Sequence, residues 1–248
     1  MAKTPPGVGV READVAIARR NAVLAALPDS VWMAWLPHLE LIDLAPGAVV
    51  YEVGATLHYV WFPLDCAVCV MQTLADGACA QIAVVGHEGV VGAPVFLGAP
   101  VARARAIVQL PGLAARLPPH PVVAEFERGD FVTRLLLRHT QAVIAQMAQI
   151  AACNRHHGPE QQFCRWLLMA LDRAPGSELH VTQELVASML GVRRETVNEV
   201  ARKLQARGIV KGRRGSLKVL DRPALERCSC ECYSAVVREY ARLFPRKP

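Results

Sequence analysis

No apolar run in this chain reaches the ~18 residues that would carry a helix across a bilayer, which excludes an ordinary membrane-spanning segment. The first ten residues hold one lysine and a Pro-Pro-Gly but no apolar core of the kind a secretory leader needs, so the chain is expected to be cytoplasmic, with no membrane partner. Several enzyme signatures are missing as well: there is no Gly-x-Ser-x-Gly, no Walker loop and no dinucleotide-binding fingerprint. Histidines stand at 38, 58, 87, 120, 139, 156, 157 and 180. Only His58 and His87 fall in the strand-rich region and no His-x-His pair occurs there, which argues against a cupin-like metal enzyme. The adjacent His156 and His157 would diverge. His139, within a predicted helix, reads as a tolerated or hydrogen-bonded histidine and not as a ligand. The expectation is a protein without catalytic residues.

What is present begins with a balanced composition: 52% hydrophobic and 20% charged residues over 248 positions, enough to bury a sizeable core. The eight cysteines read as thiols in a reducing compartment, not as a disulfide framework. Cys66 and Cys69 have the gap of a metal or redox pair but fall in a predicted strand, where residues three apart face opposite ways. Cys228 and Cys232 are four apart, on one face of a helix, a spacing compatible with two cluster ligands or a redox pair. Each group is nevertheless read as small apolar filler, and no metal site is expected.

The pattern along the chain changes twice. Residues 12–36 have helical spacing (Val15, Ile17, Ala18, Val23, Leu24, Leu27), broken by Pro28. From Leu39 to about Leu117, short β-branched and aromatic runs alternate with Gly, Pro and Asp turns roughly every ten residues, the look of an antiparallel β-roll or barrel. Residues 122–153 then lack proline, and Val132, Leu136, Val143, Met147 and Ile150 recur every three to four positions. That spacing predicts one long helix with a coiled-coil seam and self-pairing. Asn154–Pro159 is a predicted hinge, Glu160–Asp172 an amphipathic helix burying Phe163, Trp166, Leu167 and Ala170, and Ala174–Ser177 a turn.

Residues 182–206 read as two helices joined at Gly191. Thr182 suits an N-cap, Glu184 follows in the first turn, and Leu185, Val186, Met189 and Leu190 form a buried face. The second helix buries Val197, Val200, Ala201 and Leu204, and its other face carries Arg194, Glu195, Asn198 and Arg202, with Arg193 at its start. Arginine can pair with guanine O6/N7, glutamate can accept from cytosine N4 and asparagine can pair with adenine. Thr196 and Arg193 suit phosphates, which set register without reading bases. Two β runs at 208–211 and 216–220 follow, joined by Gly212-Arg213-Arg214-Gly215, so the pair is a winged helix-turn-helix with arginines at the wing tip. Between Arg193 and Arg222 ten Lys/Arg face three acids, a local charge of +7, and with the total at +6 the rest of the chain carries −1. A neutral body with one basic module is the footprint of a nucleic-acid binder.

The stretch Arg-Arg-Glu-Thr-Val at 193–197, its approach from Thr182 and the wing resemble the Crp/Fnr family of bacterial regulators. The likeness extends over nearly the whole chain. Pro46-Gly47 through Gly54 and Leu57–Val60 resemble the opening strands of the family's cyclic-nucleotide-binding-like roll. Residues 122–153 lie where the family places its dimer helix. Cys153-Asn-Arg, Arg165-Trp-Leu-Leu-Met, Asp221-Arg-Pro and the Gly-His-Glu-Gly-Val-Val-Gly at 86–92 resemble a less characterised branch.

The resemblance implies an α+β fold: a tail and helices over 1–37, an antiparallel β-roll (double-stranded β-helix) over 38–120, a dimerisation helix over 121–154, and a C-terminal winged helix-turn-helix over 155–248. It implies a homodimeric transcription regulator with double-stranded DNA, a second copy and RNA polymerase as partners. Thr182, Gln183, Arg193, Arg194, Glu195, Thr196, Asn198, Arg202, Arg213 and Arg214 are the expected DNA-contacting set, with Arg194 and Glu195 reading bases. Glu199 stands where cyclic-AMP-responsive members have a second base-reading arginine, so a different target half-site is expected. Glu88, Val90, Arg103 and Arg105 mark the region where relatives hold an effector. Val90 replaces the glutamate that contacts ribose, and neither arginine is followed by Ser or Thr, so cyclic nucleotide is not expected. An iron–sulfur cluster is not expected either, because no cysteine precedes Cys66. The effector is left unknown, and an effector-independent DNA-binding protein is the alternative.

Overall fold

Helical spacing at the N-terminal end produces three short helices, α1 (Glu12–Ala18), α2 (Ala22–Ala25) and α3 (Asp29–Trp35). The computed structural model describes residues 12–213 and 215–244. The first break comes before Pro28, at Asn21, whose side chain accepts from the amides of Val23 and Leu24 and so starts α2. Its amide group donates to the carbonyls of Pro63 (2.9 Å) and Gly89 (2.8 Å). A fully buried asparagine is thus satisfied at both ends, pinning these helices to the roll.

The period-two region folds into strands β1 (Glu40–Leu44), β2 (Val49–Tyr51), β3 (Val60–Pro63), β4 (Ala67–Thr73), β5 (Cys79–Val85), β6 (Arg105–Leu110) and β7 (Gly112–Leu117). They pair antiparallel in two sheets, ordered β1-β7-β3 and β2-β6-β4-β5. Alternation sends Cys66, Val68, Val85, Ala106 and Val108 into a cluster with Trp61 and Val91 between the sheets. The other face of the four-stranded sheet, with Cys69, Met71, Val84 and Ile107, packs elsewhere, as described below.

The expected single helix over 122–153 is two. α4 (Pro119–Glu127) ends before Gly129, and α5 (Phe131–His156) runs for 26 residues, about 39 Å at the α-helical rise. Gly129 takes a φ of +75°, a left-handed conformation that costs glycine little, and the Thr133 hydroxyl donates across the corner to Phe126 O at 2.7 Å. α5 then runs through Asn154, so the chain turns only at His157–Gly158 before α6 (Pro159–Leu171), which opens with proline at its first position.

The predicted seam is also rearranged. Val132, Leu136 and Ile150 are at most 3% exposed within the single chain, the first two packing with Trp35, Phe62 and Val122, while Val143 packs partly against the roll and Met147 is half-buried. Leu137 and Ile144 are 46% and 54% exposed instead, with Gln141, Ala148 and Ala151 on the same side. The difference arises because the roll claims the face with the larger aliphatic stripe.

β8 (Glu178–Leu179), α7 (Gln183–Leu190), α8 (Arg194–Ala206), β9 (Val210–Arg213), β10 (Ser216–Val219), α9 (Arg222–Cys228) and α10 (Glu231–Leu243) complete the chain. Their small sheet has the order β8-β10-β9. The helix expected to carry Cys228 and Cys232 together is interrupted, since extended backbone at Ser229 and Cys230 separates α9 from α10. One apolar cluster runs from Cys69, Met71, Val84 and Ile107 of the roll through Trp166, Met189 and Leu204 to Val236, so the core crosses the sequence boundary at 154/155.

Candidate nucleic-acid interface

Thr182 starts α7 as the sequence predicts: its backbone is extended and its hydroxyl accepts from Leu185 N at 3.2 Å. Gly191 ends the helix at φ +66°, ψ +32°, and Val192 N returns to Ala187 O, which redirects the chain within three residues. α8 buries Val197, Val200 and Leu204 against α7 and α6. Arg193, Arg194, Glu195 and Arg202 are left exposed, while Thr196 and Asn198 are half-buried. Among the described residues the Asn198 side-chain oxygen has no hydrogen-bond partner.

The antiparallel β9–β10 hairpin stands beside α8, and Gln205 Oε1 accepts from Gly212 N at 2.6 Å. The start of α7, the outer face of α8 and the hairpin enclose an open cleft of about 990 Å³. It brings together Thr182, Gln183, Arg194, Asn198, Arg202 and Arg213. Arg193, Glu195 and Thr196 lie outside its lining, at the leading turn of α8. Arg214 lies outside the described residues.

Charge pairing separates the basic residues into two sets. Lys203 pairs with Glu199 (2.8 Å), Arg207 with Glu160 (2.8 Å), and Arg222 with Asp172 and Glu226. Hydrogen bonding to Lys203 holds the Glu199 carboxyl below its ordinary range, so this acid is tied along its own helix. Among the described residues, Arg193, Arg194, Arg202, Lys211, Arg213 and Lys218 have no ion-pair partner. The unpaired cations therefore collect at the front of α8 and on the wing, where they can meet phosphates and base edges. Gln205 was not foreseen as part of this surface. Its position three residues after Arg202 on the same helical face is the signal that marks it.

The four residues expected around an effector have other engagements. Glu88 Oε1 accepts from Arg173 Nη2 (2.6 Å) and Nε (2.8 Å) and from Gly86 N (3.1 Å). Burial works against both charges, yet their attraction prevails, holding the Glu88 carboxyl below and the Arg173 guanidinium above its usual range. Glu88 is thus committed to the joint between the roll and the C-terminal domain. Val90 is buried, and His139 Nε2 lies 2.8 Å from its carbonyl O and 3.2 Å from its N, donating to the first or accepting from the second according to the tautomer. Burial lowers the His139 pKa, keeping the ring neutral. Arg105 pairs with Glu52 at 3.1 Å, and Arg103 is exposed.

Strand β5 connects roll and helices directly. Cys79 Sγ lies 3.0 Å from Ser188 Oγ of α7, Gln81 Oε1 accepts from Trp166 Nε1 of α6 at 3.1 Å, and Val84 N donates to Gln146 Oε1 of α5 at 2.6 Å.

Residues 161–228 match the family model of the Crp-like helix-turn-helix domain. No curated protein matches the chain in sequence. Among solved structures, FixK2 from Bradyrhizobium japonicum is similar over 77% of this chain and 98% of its own, with a TM-score of 0.64 at 17% identity. A Crp-family transcriptional regulator from Thermus thermophilus is similar over 75% and 95%, with a TM-score of 0.62 at 19% identity. The c-di-GMP-responsive global regulator CLP of Xanthomonas campestris covers 78% and 100%, with a TM-score of 0.62 at 14% identity. The chain therefore has the Crp/Fnr fold, and its residues 161–228 belong to the Crp-like helix-turn-helix domain family.

Proposed function

We propose that the protein is a sequence-specific DNA-binding transcription regulator that acts as a homodimer, with α8 entering the major groove and the β9–β10 wing lying along the backbone. The observation that carries this reading is the gathering of Arg194, Arg202 and Arg213, which have no ion-pair partner among the described residues, around one cleft, while Lys203, Arg207 and Arg222 are paired within the chain. Arg194 and Glu195 are assigned to base edges, Arg193, Thr196 and the wing to phosphates. Dimerisation is assigned to the exposed side of α5 at Leu137, Gln141, Ile144, Ala148 and Ala151, which repeats at alternating intervals of four and three. RNA polymerase is the further partner this reading implies.

The roll is the sensing part in this reading, and β5, touching α5, α6 and α7, supports a route from the roll to the reading helix. The occupation of Glu88 by Arg173 favours the alternative of a regulator that responds to no small molecule.

Footprinting and competition binding test the assignment. Arg194→Ala should cost about 1–3 kcal/mol and relax preference at one base position per half-site. Unchanged affinity and preference in that variant would remove α8 from the interface. Leu137→Glu should turn a dimer into a monomer by light scattering, and a monomeric wild-type protein, with or without DNA, would end the dimer reading.

A further inference from the structure

Three cysteines and a histidine from distant parts of the chain converge where α5 ends and α10 begins. Cys153 and His157 are one turn apart at the end of α5, while Cys230 and Cys232 occupy the N-cap and second position of α10. Their donor atoms all lie within 4.8 Å of one another. Cys153 Sγ is 3.5 Å from Cys230 Sγ, and Cys232 Sγ is 3.5 Å from His157 Nδ1. A tetrahedral zinc with bonds of ~2.3 Å to sulfur and ~2.0–2.1 Å to nitrogen holds its donors about 3.6–3.8 Å apart. The three sulfurs are buried, at 0%, 6% and 1% exposure, in a cluster of their own apart from the larger apolar cores.

The surroundings point to a metal more than to filler. His157 Nε2, the nitrogen turned away from the sulfurs, faces Glu231 Oε2 at 3.4 Å, the carboxylate backing that fixes the tautomer of a metal-bound imidazole. Gln149 Nε2 donates to Cys232 Sγ at 3.0 Å, a contact that suits a thiolate acceptor. Zinc with three thiolates and a neutral imidazole carries a net charge of −1. Close by, Arg165 is 4% exposed, has an Nε with no hydrogen-bond partner, and forms no ion pair among the described residues. Its charge acts on Cys153. A buried cation lacking a carboxylate is costly, and an anionic metal site would balance it. Four donors this close enclose one ion and leave no room for the body of an iron–sulfur cluster.

We propose that Cys153, His157, Cys230 and Cys232 form a closed, tetrahedral Cys3His site for a single zinc ion that ties the end of α5 to the start of α10. The ion spans the turn at His157–Gly158 and closes a loop containing the whole winged helix-turn-helix, so metal loading fixes that module relative to α5. The site is independent of whether the module binds DNA.

The test is metal analysis of the full chain purified without chelator, paired with thiol mapping by mass spectrometry. About one zinc per chain is expected. Replacement by Co²⁺ should produce the visible bands of tetrahedral cobalt–thiolate coordination. Cys153, Cys230 and Cys232 should resist alkylation until a chelator is added, whereas the partly exposed Cys79 and Cys228 should react throughout. Cys232→Ser should lose the metal and Cys228→Ser should keep it. Because the alkylation and cobalt readouts use the folded wild-type chain, a variant that fails to fold does not leave the question open. Absence of both zinc and cobalt binding would overturn the site. So would metal retained in Cys232→Ser, or a Cys153–Cys230 disulfide in protein trapped directly from reducing cells.

Discussion

Replacing Glu88 by alanine should destabilise the protein far more than an ordinary surface change, because of what it leaves behind. The carboxylate takes three donors, two from Arg173 and one from Gly86 N, and the two side chains are only 19% and 7% exposed. Without it, the Arg173 guanidinium remains at the joint with Met169 O, at 2.7 Å, as its remaining acceptor. Removing one partner of such a buried pair costs about 3–5 kcal/mol, chiefly the penalty of the stranded charge. Against a total stability of roughly 5–15 kcal/mol, that is a large fraction. With a urea slope of about 3 kcal/mol/M, the unfolding midpoint should fall by about 1–1.7 M. The double variant Glu88→Leu/Arg173→Met removes both charges and should regain most of the loss, since apolar replacement of a whole buried pair is often near neutral. The assay is urea unfolding followed by circular dichroism for the wild type, both single variants and the double. A midpoint shift below ~0.3 M in Glu88→Ala would refute the argument. Strict additivity of the two single changes would refute it equally, because it would mean the side chains do not interact.

Three further outcomes follow from neighbouring features. Gly89→Ala should cost at least ~1–3 kcal/mol, because an added Cβ would run into the buried ring of His139 with Val85 beside it; an unchanged denaturation midpoint would contradict this packing. Burial lowers the His139 pKa, so the unfolded chain takes up that proton first. Its share of stability is intact above pH ~6.5 and declines as pH falls below that value, and His139→Gln should flatten the slope of melting temperature between about pH 6.5 and 5. At the wing, Arg213→Gln should reduce the slope of log affinity against log salt by about 1 while leaving base preference intact, as measured by titrations at several salt concentrations.

Much of this architecture was legible in the sequence, and the reasons are local. Thr182, Gly191 and the apolar positions of α7 and α8 fix two helices and the turn between them through capping, positive φ and periodicity, all of which act within a few residues. The same holds for the roll, where turn residues at regular intervals punctuate short apolar runs. Misplaced features depend on contacts distant in sequence. Val132 and Leu136 fit a coiled-coil seam on spacing alone, but Trp35, Phe62 and Val122 bury that face within the chain. Gly129 was visible as the lone glycine of its segment, yet glycine within a helix and glycine at a corner look alike until Thr133 and Phe126 are seen across the bend. Glu88 suggested a ligand contact because Arg173, 85 positions later, is invisible to a local pattern. The set of three cysteines and one histidine was illegible for a related reason: two donors lie on each side of the DNA-binding module, and the break at Ser229 changes which cysteines can meet.

The single apolar cluster that joins the four-stranded sheet to the C-terminal helices has a consequence for how the molecule melts. A linker-connected pair of domains would show two transitions, each with its own enthalpy. Here Met71, Val84 and Ile107 lose their cover at the moment α6 and α7 leave, and Trp166 loses the Gln81 acceptor of its indole N–H. The sheet face and the helices are one cooperative unit, so calorimetry of the whole chain should give one endotherm where the sequence boundaries would suggest two. A fragment cut at residue 155 would carry away half of a core.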